Sequence, residues 1–169
     1  MKRVLAAAIV SVLALAGCRT SYSWKSQVPA DLRTVAVPNF RNESDMTELG
    51  PVVTQQVLRE FQREGTFKIA NVDNAAVEVQ GVIRSAAASF SGGSRKTGMR
   101  VSDFRYSVKA EVSVIDRKSG RVLVDNRVYF AEAMFASGID FPTAKRNASG
   151  RVAEDLARQI VDDVLAVQW

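Results

Sequence analysis

The chain contains no histidine and a single cysteine among its 169 residues. Without imidazole the commonest general base and metal ligand is missing, so histidine triads, imidazole relays and most transition-metal sites drop out together. One cysteine closes no internal disulfide and begins no Cys/His zinc cluster. There are 4 Pro and 10 Gly, with no collagen or solenoid period, whereas 47% of residues are hydrophobic. That content is too aliphatic for a disordered chain and sufficient for one packed core at this length. The absences point away from an enzyme and towards a protein that works by contact.

What is present begins at the amino terminus. Lys2 and Arg3 precede an apolar run from Val4 to Leu15, and Ala16-Gly17 stand before Cys18. This is the pattern of a secretory signal, too short to span a bilayer. Leu15-Ala16-Gly17-Cys18 also resembles the bacterial lipobox. That resemblance implies cleavage after residue 17, a diacylglycerol on the Cys18 sulfur and an N-acyl chain on the new amine; no other cofactor is expected. Several acyl chains anchor stably where one is marginal. Arg19, where an aspartate would favour inner-membrane retention, points to the outer membrane, with the domain on its periplasmic side. The formal charge of the whole chain is +5, with 23 basic and 18 acidic side chains. Loss of residues 1–17 removes Lys2 and Arg3 and no acids, leaving +3 and little support for a nucleic-acid partner.

Residues 18–28 read as a lipidated tether, and 29–169 as one domain. Arg33 to Pro38 is a β-branched run stopped by proline, expected as the first strand, and 39–45 is rich in turn formers and expected as a loop. A helix is expected from 45–47 to Glu64, because Leu49, Val53, Val57 and Phe61 recur every four residues, with Gly65 as a left-handed cap. Thr66–Ala70 is a short strand-like run. Three longer strands follow. The first, Val77–Phe90, ends in a small-residue run, Ser85–Ser89, that leaves room for close packing or for a bulge at Gly81, and Ser91–Gly98 reads as a flexible hairpin tip. In Val101–Asp116, Tyr106, Val108, Ala110, Val112 and Val114 share one face and Arg105, Ser107, Lys109, Glu111 and Ser113 the other. In Arg121 to about Phe135, Val122, Val124, Val128 and Phe130 alternate with Arg121, Asp125, Arg127 and Tyr129. From Pro142 onward the helical period returns. The order predicts an α+β two-layer sandwich, two helices packed on one face of a mostly antiparallel sheet of about four to five strands.

Two basic surfaces are the candidate contact sites. Gly93 to Gly98 has glycines at phosphate-loop spacing, but Met99-Arg100 follow and a strand comes next, so the amides cannot converge on a phosphate. Arg95, Lys96 and Arg100 are instead a cationic tip, either solvated or bonding phosphates or acids of another molecule. On the polar sheet face Arg105, Lys109, Arg127 and Tyr129 are expected together, as an ordinary solvated face or as a docking surface. Asp155, Asp162 and Asp163 fall on the last helix, where they are expected to balance Arg151 and Arg158.

Val28-Pro29-Ala30-Asp31-Leu32-Arg33-Thr34-Val35-Ala36-Val37-Pro38-Asn39-Phe40-Arg41-Asn42-Glu43, and the helix closing on Gly65, resemble the opening of the lipopolysaccharide-assembly lipoprotein family, LptE. Similarity continues through Ala75 to Ile83, Asp116 to Val124 and Leu156 to Val161, so it spans essentially the whole mature chain. Val77, Glu43-Ser44 and Val124 depart from the family pattern. The resemblance implies a non-enzymatic subunit, tethered at the outer membrane, that plugs and helps assemble a large β-barrel, LptD, and engages lipopolysaccharide. The alternative is a periplasmic lipoprotein activating or scaffolding cell-envelope synthesis, for which a longer, Pro-rich tether than Arg19–Gln27 is expected.

Overall fold

The computed structural model describes residues 28–96, 99–137 and 140–169, with side chains for all of these except 93–96, 99–101 and 137. The signal segment, Cys18 and the tether to Gln27 lie outside the described residues, as do the side chains of Arg95, Lys96 and Arg100.

β1 (Thr34–Ala36) enters the core directly, with Val35 and Ala36 buried. The chain then turns through β2 (Arg41–Asn42) into α1 (Leu49–Glu64). The four-residue spacing of Leu49, Val53, Val57 and Phe61 sets one buried stripe on α1. Gly65, at φ 82°, ends the helix in the left-handed region by donating its N–H to the Phe61 carbonyl at 3.1 Å. α1 is the crossover of a βαβ unit: it returns the chain to β3 (Lys68–Ile69), which pairs with β1 in parallel.

On its other side β1 pairs in parallel with the start of β4 (Val77–Lys96), and β2 pairs with β4 further along, at Val82 and Ile83. β4 continues into a meander with β5 (Met99–Asp116) and β6 (Val122–Ser137), both pairings antiparallel. The sheet has six strands, one more than the upper expectation, in the order β3-β1-β4-β5-β6 with β2 beside β4. The extra strand is β2, two residues inside the stretch expected as a loop. Its extended geometry comes from pairing with β4, a tertiary effect invisible in local composition.

α2 (Phe141–Ala166) closes the layer. Asp140 caps it, its carboxylate accepting the Thr143 N–H at 3.1 Å. Val152, Leu156, Ile160 and Val164 line its buried face and meet α1 and the inner rows of β4, β5 and β6 in one core. Two helices on one face of a predominantly antiparallel sheet is the architecture expected from the element order.

No bulge forms at Gly81, which stays in register opposite Val112. A Cβ there would overlap the ring of Phe40, which lies flat against the glycine. The bulge comes later, where the β4/β5 register shifts between Ile83 and Ser85. The expected flexible tip is largely ladder: pairing runs on to Lys96 opposite Met99.

Candidate functional site

Among the described residues, the outer face of the sheet carries no helix. On β5 the alternation places Arg105, Ser107, Lys109, Glu111 and Ser113 on it, as expected, with Tyr106, Val108, Ala110, Val112 and Val114 buried beneath the helices. Directly opposed residues in an antiparallel ladder share a face, so the register defines this surface. Lys109 lies between Ser85 of β4 and Phe130 of β6, and Arg105 between Ser89 and Met134. Val128, Phe130 and Met134 remain 51%, 54% and 49% exposed, an apolar rim beside the two cations.

The charges divide along the strand. At the end nearest β2, Arg84 is saturated, bonding Glu43 at 2.6 Å and Glu111 at 2.7 Å. Those bonds, Glu111 first, raise the guanidinium pKa further, and Arg84 holds the Glu43 carboxyl below its ordinary value. Further out, Arg105 lies 3.7 Å from Glu132, and Lys109 has no ion-pair partner among the described residues. The outer half of the face is therefore the part with positive charge available to a ligand.

Arg127 does not join this group. Its guanidinium reaches Asp163 of α2 at 2.6 Å, and the buried Tyr129 hydroxyl donates to the same carboxylate oxygen at 2.8 Å. The cause is a bulge: Val112 faces Arg127 while Val114 faces Val124, so three residues of β6 span two of β5. Asn126 takes φ 41° there, and the Ser113 hydroxyl accepts its N–H at 3.0 Å. Beyond it Tyr129, Ala131 and Phe135 turn inward while Val128, Phe130 and Met134 turn outward, the reverse of the expected alternation. A second register shift separates Val124 from Val122, so of the four residues expected inward only Val124 is buried. Burial, then the hydrogen bond to Asp163, raises the Tyr129 pKa far above the ordinary tyrosine value.

The helix carboxylates are also used differently. Asp155 pairs with Arg158, as expected, but Asp163 serves β6, and Arg151 donates to the Met134 carbonyl at 2.9 Å. An aromatic group escaped sequence reasoning as well. Phe104 stacks on Phe135 with ring centroids 5.4 Å apart and meets Phe141 edge-to-face at 5.0 Å, and Phe90, 66% exposed, caps the row. The available signal was spacing: these phenylalanines stand near the outer ends of three strands and at the first residue of a helix.

Among the described residues no three Asp, Glu, Cys or His side chains gather as a metal site, and no helix is long and apolar enough to cross a membrane. What the arrangement offers is contact, cations beside exposed apolar side chains on a rigid sheet. Fold and surface together define a two-layer α+β domain with one open, partly cationic sheet face.

The chain belongs to the lipopolysaccharide-assembly family LptE, whose model matches residues 32–165, a family of non-catalytic lipoproteins. Among solved structures, the hypothetical protein CT253 of Chlamydia trachomatis is similar, with TM-score 0.55 and 14% identity over 78% of this chain and 95% of its own. Protein XCC0632 of Xanthomonas campestris has TM-score 0.55 and 12% identity over 82% and 89%. A minor lipoprotein of Acinetobacter baumannii has TM-score 0.48 and 12% identity over 80% and 94%. At these identities the first two speak for the fold alone. No curated protein sequence matches the chain.

Proposed function

We propose that the chain is the outer-membrane lipoprotein subunit of a lipopolysaccharide export and assembly machine. Acyl chains on Cys18 hold it on the periplasmic side of the membrane, it plugs and helps assemble an LptD-type β-barrel, and it touches lipopolysaccharide. The family match over residues 32–165 carries this reading. The lipopolysaccharide contact is supported by Arg105 and Lys109, whose neighbours Phe130 and Met134 suit an amphiphile bearing phosphate. Arg95, Lys96 and Arg100 continue the same hairpin outward and extend the basic surface in sequence.

Purification of the acylated chain in mild detergent should bring down a heat-modifiable outer-membrane barrel. Recovery of a cell-wall synthase in its place would overturn the assignment. Arg105→Ala with Lys109→Ala, and separately Arg95→Ala with Lys96→Ala, should weaken binding to lipopolysaccharide aggregates several-fold at low ionic strength, and less in high salt. Unchanged binding in both pairs would remove the lipid contact from the proposal and leave the barrel contact standing.

A further inference from the structure

At one end of the helix layer, away from the open sheet face, a cleft of about 460 Å³ separates the start of α1 from the first turns of α2. Its floor is apolar: Leu49 and Tyr106 are buried, and Met46 and Val52 are partly covered beside them. The Tyr106 ring forms part of this floor, and Ser149 lines the cleft beside it. The walls differ in sign. Asp45 and Glu48 stand on the α1 side, Lys145 and Arg146 on the α2 side.

None of these four forms an ion pair with a described residue, so all four charges are open to a ligand. Arg146 also lies near Asp140, whose carboxylate is committed to capping α2. Glu48 precedes α1 without capping it through its side chain. The cleft thus holds two negative and two positive groups on opposite walls, over a floor that repels water.

We infer that this cleft binds a zwitterionic phospholipid head and the first methylenes of its chain, as in phosphatidylethanolamine. The phosphate meets Lys145 and Arg146, where bonds between charged partners are strong and the guanidinium can engage two oxygens. The ammonium meets Asp45 and Glu48, and the chain lies on Met46, Leu49 and Val52. The volume falls within the range of small-molecule sites. A purely anionic lipid satisfies one wall and faces repulsion from the other, which gives the site its selectivity. This site is separate from Arg105 and Lys109, so its fate is independent of the lipopolysaccharide contact.

The test uses the mature chain from residue 18, with Cys18→Ser to keep it unacylated, labelled with 15N and titrated with soluble dihexanoyl-phosphatidylethanolamine. Amide shifts should concentrate at 45–52 and 142–150, with binding at least tenfold tighter than for dihexanoyl-phosphatidylglycerol, which has the same chains and no ammonium. Lys145→Ala with Arg146→Ala should weaken both lipids. Asp45→Asn with Glu48→Gln should erase the preference while leaving the glycerol lipid bound as well or better. Equal binding of the two lipids by the parent chain, shifts centred elsewhere, or no saturable binding would each overturn the inference. Spectra of the variants away from the cleft report that the fold is kept.

Discussion

The sheet has two halves that share three strands and little else. In the base, β1 and β3 widen the sheet, helices cover its inner face, and Val35, Val77, Val79 and Ile83 are buried. β1 and β2 pair only with residues 77–78 and 82–83 of β4, so from Arg84 outward β4 is an edge strand. There Ser85, Ala87, Ala88, Ser89 and Phe90 are exposed, on both faces of the strand. β4 has 20 residues and α2 26. At roughly 3.3 Å per strand residue and about 1.5 Å per helix residue, β4 is longer than α2 by about 27 Å. The base is buried across β1, β4 and β5, whereas in the arm burial is confined to β5 and β6, at Tyr106, Val108, Ala131 and Phe135, and β4 is held by ladder hydrogen bonds and the contact of Phe90 with Phe104. Stability and surface reach are thus assigned to different stretches of the same strands.

The other exposed edge, β6, is guarded. Gln159 donates to the Phe130 carbonyl at 3.1 Å and Arg151 to the Met134 carbonyl, so side chains of α2 occupy acceptors that a foreign strand would need. No such guard reaches Ser85–Phe90 among the described residues.

The sharpest test of this division is truncation of one large side chain in each half. Phe61→Ala in the base should cost about 3–5 kcal/mol in urea unfolding, and Phe90→Ala in the arm under about 1 kcal/mol. Equal losses would break the distinction. Next, Gly81→Val drives a side chain into the Phe40 ring and should cost about 1–3 kcal/mol, whereas Ala87→Val on the exposed arm should leave the midpoint almost unmoved.

Smaller is the effect of Asp163→Ala, which leaves the buried Tyr129 hydroxyl without its acceptor, at about 1–2 kcal/mol. The same tyrosine gives an alkaline limb. Its folded pKa lies above its unfolded value, near 10, so the folded chain keeps a proton that the unfolded chain gives up. That contribution is complete below pH 10 and is lost as the pH rises towards the folded value. Urea midpoints should therefore fall above pH 10, less steeply in Tyr129→Phe, with phenolate absorbance reporting the ionisation. Smallest of all, Lys118→Ala removes the exposed pair with Asp31 and should not move the midpoint measurably.

Legibility in the sequence follows the same boundary. Where a stripe faced one large core, as on α1, α2 and β5, its period was visible and the faces came out correctly. β6 misled because both of its rows are apolar: Val122, Val124, Val128 and Phe130 on even numbers, Tyr129, Ala131 and Phe135 on odd ones. The turn formers Asp125-Asn126 in mid-strand were the available warning of the bulge. β2 and β3, of two residues each, exist because a neighbour pairs with them, and local composition does not carry that information. Of the candidate contacts, Arg105 and Lys109 could be placed from alternation alone. Arg127 could not, since its face depends on a bulge that only the cross-strand register defines.

That bulge at Asn126 makes β6 a text readable in two phases. A single-residue deletion there would shift the parity of everything downstream, bringing Val128, Phe130 and Met134 under the helices and sending Tyr129, Ala131 and Phe135 out. In most half-buried strands such a frameshift exchanges apolar for charged residues and is ruinous. Here it exchanges two largely apolar rows, with Glu132 as the charged exception that the shift would carry under the helices. The cost of a change in count is therefore concentrated at Glu132 and in the lost anchoring of Arg127 and Tyr129 to Asp163.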